Sequence, residues 1–379
     1  MQRELDATIT FSDEQGMLLD TATEFFRAKS PSAAVRAQLE TPAGFEQEVW
    51  DEMVGLGWSG LAVPAEYGGS GLSLAEAVTI AEPMGRHLCA VPFLSTQLFV
   101  QGLLAGGSEA QKSDYLGRIA SGAIGTGALL EASGEWDLTR ASCDAVMTGG
   151  VVHLSGVKTL VTDAATAELL LISVRCAGAP ALVVVDKAQL SAPSPRREIV
   201  IDETQRSYRV DLDGITVPAA ALISGAAALG ALAAIRNGAL LLVSAAAAGG
   251  TAGVLNLMLE YLDTRKAFGR KIGSFQALKH TCADILIGLE RARSHVYHAA
   301  SLIAAGRNAE VALRMAKAEA SDAFAFAADR AIQFHGGFGF TYECDAQLYL
   351  RRALWLQYAF GDAAHHRKHL ADLLLPKAG

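Results

Sequence analysis

Three short stretches carry most of the residues whose types and spacing could do chemistry. The first is Tyr261-Leu262-Asp263-Thr264-Arg265-Lys266-Ala267-Phe268-Gly269, followed by Ile272, Phe275-Gln276 and Ala283-Asp284. The second is Gln333-Phe334-His335-Gly336-Gly337-Phe338-Gly339-Phe340, followed by Arg351-Arg352-Ala353. The third is Phe360-Gly361-Asp362 ahead of His365, His366 and Arg367. Arginine offers a permanently charged planar fork of donors, and a glycine pair lets the backbone come close to whatever it meets. Asp362 can accept a proton or, placed before His365 and His366, cap a helix. No cluster of carboxylates or cysteines accompanies the two histidines, so no metal centre is expected. The five cysteines (Cys89, Cys143, Cys176, Cys282, Cys344) are odd in number and widely spaced, with no C-x-x-C pair. That argues against a disulfide framework or a cysteine zinc site and fits a reducing cytoplasm. The glycine-rich run Val63-Pro64-Ala65-Glu66-Tyr67-Gly68-Gly69-Ser70-Gly71 reads as a structural turn.

The elements that must position these residues change character twice along the 379-residue chain. Residues 14–28, 45–56 and 74–84 carry apolar residues at three-to-four spacing, which predicts helices. Between 121 and 217 the pattern becomes short runs such as GTGALLE, VVHLSG, ELLLISVR, ALVVVD and YRVDLD, which predict a small antiparallel β domain. After Pro218 the helical pattern returns, with Leu278, Cys282, Ile285, Leu286 and Leu289 expected on one buried face and a second helix through 312–334. The expected organisation is therefore α+β and multidomain: an N-terminal helical domain (1–120), a middle β domain (121–217) and a C-terminal four-helix bundle (218–379). A disordered insert is expected at Pro193 to Arg197.

Composition narrows the function. At 51% hydrophobic and 19% charged the chain is globular, and its net charge of -8 gives no reason to expect nucleic acid or anionic membrane as a partner. The acidic start MQRELDATITFSDEQ shows no targeting pattern. Residues 214–259 hold a single charge, Arg236, yet 22 of them are Ala or Gly and several are polar, so a buried bundle helix is expected there and not a membrane span.

In this order and on this helix/β/helix plan, the motifs at Tyr261–Gly269, Gln333–Phe340 and Arg351–Ala353, with the earlier glycine-rich turn, resemble the acyl-CoA dehydrogenase family over nearly the whole chain. The resemblance implies a flavoprotein that binds FAD between the β domain and the C-terminal helices at a subunit interface. It implies that Arg265 meets the FAD pyrophosphate of the neighbouring subunit, that Phe268 lies near the adenine end, and that Gln333, Gly336 and Gly337 form the loop against the same dinucleotide. It assigns Leu129, Leu130 and Thr162 to the β-domain contacts with the chain's own flavin. The family has a threonine where Leu130 stands, so one hydroxyl is missing.

The resemblance also implies the chemistry, α,β-dehydrogenation of an acyl-CoA thioester, in which a carboxylate takes the α proton and hydride leaves the β carbon for the flavin. The glutamate expected near the C-terminus is replaced by Phe360, in the register fixed by Gly361 and Arg367. The alternative site for the base lies within 214–259, which contains no Asp or Glu. Asp362, two residues away, is the remaining candidate for the catalytic base. Three classes of function follow: a self-sufficient lipid-metabolising dehydrogenase of the β-oxidation type using Asp362, a base-less subunit completing the flavin site of a related catalytic chain, or a flavin monooxygenase or oxidase on the same fold. Expected partners are an acyl-CoA substrate, electron-transfer flavoprotein as acceptor, and further subunits in a homo- or hetero-oligomeric dimer or tetramer.

Overall fold

The structure, a computed structural model, describes residues 12–190 and 194–375. The readings placed on the first eleven residues and on Pro193 lie outside that range. In chain order the helices are α1 (Asp13–Lys29), α2 (Ser32–Ala37), α3 (Gln47–Gly55), α4 (Leu74–Arg86), α5 (Phe93–Gly106) and α6 (Glu109–Ala120), then α7 (Gly225–Thr264), α8 (Gln276–Ala304), α9 (Glu310–His335), α10 (Ala346–Tyr358) and α11 (Ala363–Leu374). Between the two groups of helices lie β1 (Gly125–Ala128), β2 (Asp144–Thr148), β3 (Val151–Ser155), β4 (Val157–Thr162), β5 (Leu169–Cys176), β6 (Ala179–Asp186), β7 (Arg196–Glu198), β8 (Ser207–Asp211), β9 (Thr216–Pro218) and β10 (Leu222–Ile223). A small hairpin, β11 (Lys266–Ala267) with β12 (Arg270–Lys271), follows α7. The chain forms two compact units, one from residues 40–73 and 91–239, the other from residues up to 39, 74–90 and from 240 onward.

The first of these units holds the β domain. A seven-stranded sheet runs β10-β6-β5-β2-β3-β9 with β1 also on β5, and a three-stranded sheet runs β4-β8-β7. The strands are not all antiparallel as the sequence suggested: β1 and β2 both pair with β5 in parallel. Their apolar side chains (Val152, Leu170, Ile172, Val183, Val210, Val217) form one core cluster. Arg196 and Arg197, at the end of the expected disordered insert, instead belong to β7, which pairs with β8.

The second unit is helical. Ser12 opens α1 with a reciprocal capping box to Gln15. The small residues of α7 do what their size permits: a Cβ on Gly85 would lie 1.9 Å from the Ala246 carbonyl oxygen, and one on Gly249 would lie 1.8 Å from that of Glu82, so α4 and α7 meet backbone to backbone. By length and composition α7 could cross a membrane, but over half of its most apolar stretch is buried inside the protein. On α8, Ile285 and Leu289 are buried as expected, whereas Leu286 is 49% exposed; one residue is a 100° step around a helix, and Leu286 falls off the packed face.

Candidate functional site

The segment after α7 is built as an arm. Lys266 pairs with Lys271 and Ala267 with Arg270, leaving Phe268 and Gly269 as a two-residue turn in which both φ values are positive, +54° and +79°. That is the type I′ requirement, normally met by Asn-Gly, and a left-handed conformation costs a residue with a Cβ roughly 1–2 kcal/mol. The strained residue is a phenylalanine with 94% of its surface exposed, touching the edge of Phe275 at a centroid distance of 6.1 Å. Arg270 stacks its guanidinium 4.1 Å over Phe275. Arg265, at the base of the arm, is exposed, and its guanidinium has no partner among the described residues. This aromatic, held in a strained turn beside an unpaired arginine, buries almost nothing for the unit that carries it.

Gln333 lies exposed in the last turn of α9, and Gly336 and Gly337 follow. A Cβ at either glycine would meet nothing within 4 Å, so the backbone there is open, and Gly336 also needs its φ of +62°. His335, buried, bonds the Ala331 carbonyl through Nδ1 at 2.8 Å and stacks on Tyr261 at 4.2 Å. This stack joins the end of α9 to the last turn of α7, whose Tyr261 carbonyl accepts the Arg265 N–H at 2.9 Å.

In the β unit, Leu129 and Leu130 follow β1. The Leu129 carbonyl accepts from the Ser173 hydroxyl at 3.1 Å, and the Leu130 carbonyl accepts from the Thr159 N–H at 3.0 Å. Thr162 ends β4, half-buried, its hydroxyl without a partner among the described residues. The next residue, Asp163, turns the chain at a φ of +61° and takes a 2.7 Å hydrogen bond from Ser95, and burial pushes its carboxyl up to about 7. Beside Leu130, Glu131 forms a 2.6 Å ion pair with Lys158 and accepts from the Ser142 hydroxyl and the Ser142 and Cys143 N–H groups. Burial alone would raise the Glu131 carboxyl, but these donors outweigh it and bring it to about 2. Lys158 is fully buried and also donates to Ser173 at 3.0 Å. This pair ties the 129–131 strand end to β4.

The third stretch connects α10 to α11. Phe360 is left-handed at +57°, and Gly361, at +104°, has His365 and His366 atoms 2.7 and 2.9 Å from where a Cβ would sit. Asp362 is the N-cap of α11, its carboxylate accepting the His365 N–H at 2.8 Å. Beneath the loop, fully buried Lys317 donates to the carbonyls of Leu356 (3.1 Å), Gln357 (3.1 Å) and Gly361 (2.9 Å) and to Ser321 (2.9 Å). Burial lowers its pKa to about 7 against the opposing pull of Asp362 and Asp322. His366 lies 3.1 Å from the Phe360 carbonyl through Nε2 and 3.5 Å from Arg314 through Nδ1. A carbonyl only accepts and a guanidinium only donates, so the imidazole is neutral with its proton on Nε2. Burial, with Lys317, His365 and Arg314 around it, holds its pKa at about 3.

Sequence reasoning missed Glu131 with Lys158, and Lys317 with His366; a buried lysine leaves no trace in a hydrophobic pattern. Among the described residues no group of three or more His, Cys, Asp or Glu could hold a metal ion. Within the helical unit, the unpaired Arg265, the presented Phe268 and the open backbone at Gly336-Gly337 are groups of the kind a phosphate-bearing dinucleotide needs; within the β unit, the Thr162 hydroxyl is free among the described residues, whereas the leucine at 130 offers no side-chain donor.

Residues 12–123 match the family model of the acyl-CoA dehydrogenase N-terminal domain and residues 231–375 that of the C-terminal domain. The chain is 30% identical over 346 residues to acyl-CoA dehydrogenase IpdE2 of Mycolicibacterium smegmatis, covering 90% of this chain and 93% of that one. It is 27% identical to the mitochondrial isovaleryl-CoA dehydrogenase of Pongo abelii, over 78% of this chain and 73% of that one. A solved structure of a steroid acyl-CoA dehydrogenase, the Tcur3481-Tcur3483 G363A variant, superposes with a TM-score of 0.85 at 27% identity, covering 96% of this chain and 98% of that one. The electron transferring flavoprotein of Acidaminococcus fermentans gives a TM-score of 0.87 at 26% identity, over 97% and 99% of the two chains. With both terminal domains matched and a relative aligned along almost its full length, the chain belongs to the acyl-CoA dehydrogenase family, whose members are FAD-dependent oxidoreductases.

Proposed function

We propose that the chain serves α,β-dehydrogenation of an acyl-CoA thioester as the base-less member of a mixed oligomer, lending Arg265, Phe268, Gln333, Gly336 and Gly337 to the flavin of a related catalytic chain. The observation that carries this reading is at the α10–α11 loop. The position where the family resemblance calls for a glutamate holds Phe360, α7 has no Asp or Glu before Glu260, and Asp362 is committed to capping α11. Freeing Asp362 would forfeit a cap worth about 1 kcal/mol and disturb a loop whose carbonyls at 360 and 361 are both held from below. Two further features support it. A steroid dehydrogenase that the chain resembles is named for two different chains, which supports the mixed oligomer, and the word steroid in its name supports bulky acyl or steroid side-chain thioesters as the substrate class. Of the groups expected to be lent, the Arg265 guanidinium has no partner among the described residues and Phe268 is presented to solvent, while the β-domain side has a leucine at 130 in place of a hydroxyl.

FAD, when bound, supplies the two-electron acceptor for hydride from the β carbon. This chain's part is to hold it: the guanidinium of Arg265 for the pyrophosphate, the ring of Phe268 for the adenine, and the Thr162 hydroxyl for its own flavin. Electron-transfer flavoprotein is the proposed acceptor and the cytoplasm the proposed compartment.

The test compares the chain alone with the chain co-expressed with a neighbouring paralogue. Alone, it should bind less than one FAD per subunit and barely bleach flavin when mixed anaerobically with acyl-CoA thioesters; co-expression should restore both. Full activity of the isolated chain with one flavin per subunit, abolished by Asp362→Asn, would establish the self-sufficient enzyme instead.

A further inference from the structure

The cluster under the α10–α11 loop is larger than a turn of this length needs. Lys317 is fully buried with four oxygens within 3.1 Å, three of them backbone carbonyls of residues 356, 357 and 361. His366 holds the carbonyl between them, that of Phe360, and is itself backed by Arg314, which is paired with Glu310 at 3.0 Å. Asp362 then caps α11. The carbonyls on either side of Gly361's N–H are thus both fixed by side chains, and what they fix is an unfavourable conformation, a phenylalanine at a φ of +57°. Left alone, an L-residue there would relax toward a right-handed or extended backbone. A buried lysine whose donors are spent on holding a strained residue is the pattern of a functional site.

We propose that Lys317 is a positioning residue, which through the carbonyls of residues 356–361 holds position 360 in the orientation that a catalytic carboxylate would use, so that this chain has lost the base but kept its mount. The proposal rests on the base-less reading above. Its chemical consequence is specific: a carboxylate placed at 360 would take the α proton, and FAD, when bound, would supply the acceptor for the hydride leaving the β carbon, so that the carbon–carbon double bond forms with no further reactant.

The experiment uses the complete chain loaded with FAD, mixed anaerobically with octanoyl-CoA, with flavin absorbance followed in time. Phe360→Glu is expected to bleach about a hundredfold faster than the unaltered chain, the usual scale of a positioned general base. Its rate should rise with pH as the new carboxylate ionises. Adding Lys317→Gln should abolish the gain while FAD content and the melting temperature stay close to those of Phe360→Glu, and Lys317→Arg, which keeps the charge and the donors, should restore part of it. Should the Gln variant fold poorly, Ser321→Ala with Phe360→Glu provides the second reading: removing a Lys317 partner outside the loop should leave the gain intact. No gain from Phe360→Glu, or a gain of the same size with and without Lys317, would overturn the proposal. Rapid bleaching by the unaltered chain would overturn the base-less reading instead.

Discussion

Replacing Glu131 by Gln removes the charge from one end of the ion pair at the edge of the β domain while keeping the shape of the side chain. The Lys158 side chain is 0% exposed, that of Glu131 is 9% exposed, and the two are 2.6 Å apart. Lowering a carboxyl from 4.5 to about 2 corresponds to about 3 kcal/mol of preference for the charged form in the fold. Breaking a buried pair by removing one partner costs about 3–5 kcal/mol, because the other charge is left without compensation. Glu131→Gln should therefore lose about 3 kcal/mol at pH 7 in urea denaturation followed by circular dichroism. The pH dependence has a definite sign. The folded carboxyl is held below its unfolded value, so its contribution is complete above about pH 4.5 and disappears as pH falls toward about 2. The gap between the unaltered protein and Glu131→Gln should narrow over that window. Adding Lys158→Met should recover much of the loss at pH 7 by removing the stranded ammonium. A loss below about 1 kcal/mol, the size expected of a solvent-exposed pair, would refute the reasoning.

Three further outcomes are expected. Arg265→Ala should lose most bound FAD with little change in melting temperature, since its guanidinium has no partner among the described residues; unchanged flavin content, or released cofactor that runs as FMN on a column, would refute the assignment. Gly249→Ala should cost about 3 kcal/mol and lower soluble yield, because its Cβ would lie 1.8 Å from the Glu82 carbonyl oxygen and the helices would have to part; an unchanged melting temperature would show that α4 and α7 have slack. Asp362→Ala should cost about 1 kcal/mol of stability and Asp362→Asn almost none, asparagine being an equally good cap; in the co-expressed complex Asp362→Asn should leave the bleaching rate unchanged.

The sequence made some of this legible, and the reasons differ by residue. Arg265, Phe268, Gln333 and the glycine pair stand out because short motifs at fixed separations carry them, and Asp362 could be read as a cap from its place before His365 and His366. The helical character of α7 was visible in its small residues, but its contact with α4 was not, because that depends on Gly85 being opposite Ala246 across a long stretch of chain. Lys158, Glu131 and Lys317 were hidden for a different reason. Charged residues read as surface in any hydrophobic pattern, and only the fold shows that their partners arrive from distant segments. The parallel pairing of β1 and β2 on β5 was missed because alternation along a strand says nothing about the direction of its neighbour.

The turn at Phe268 sets stability and usefulness at odds. Asparagine at that position would fit the left-handed backbone with less strain, and with 94% of the phenylalanine surface in solvent its own unit would give up almost no packing. A library of variants sorted only for heat resistance would therefore drift away from the aromatic ring, and the survivors would be sturdier chains with a blunted arm. Thermostabilised derivatives of this protein need a second criterion, retention of the dinucleotide, from the first round of selection.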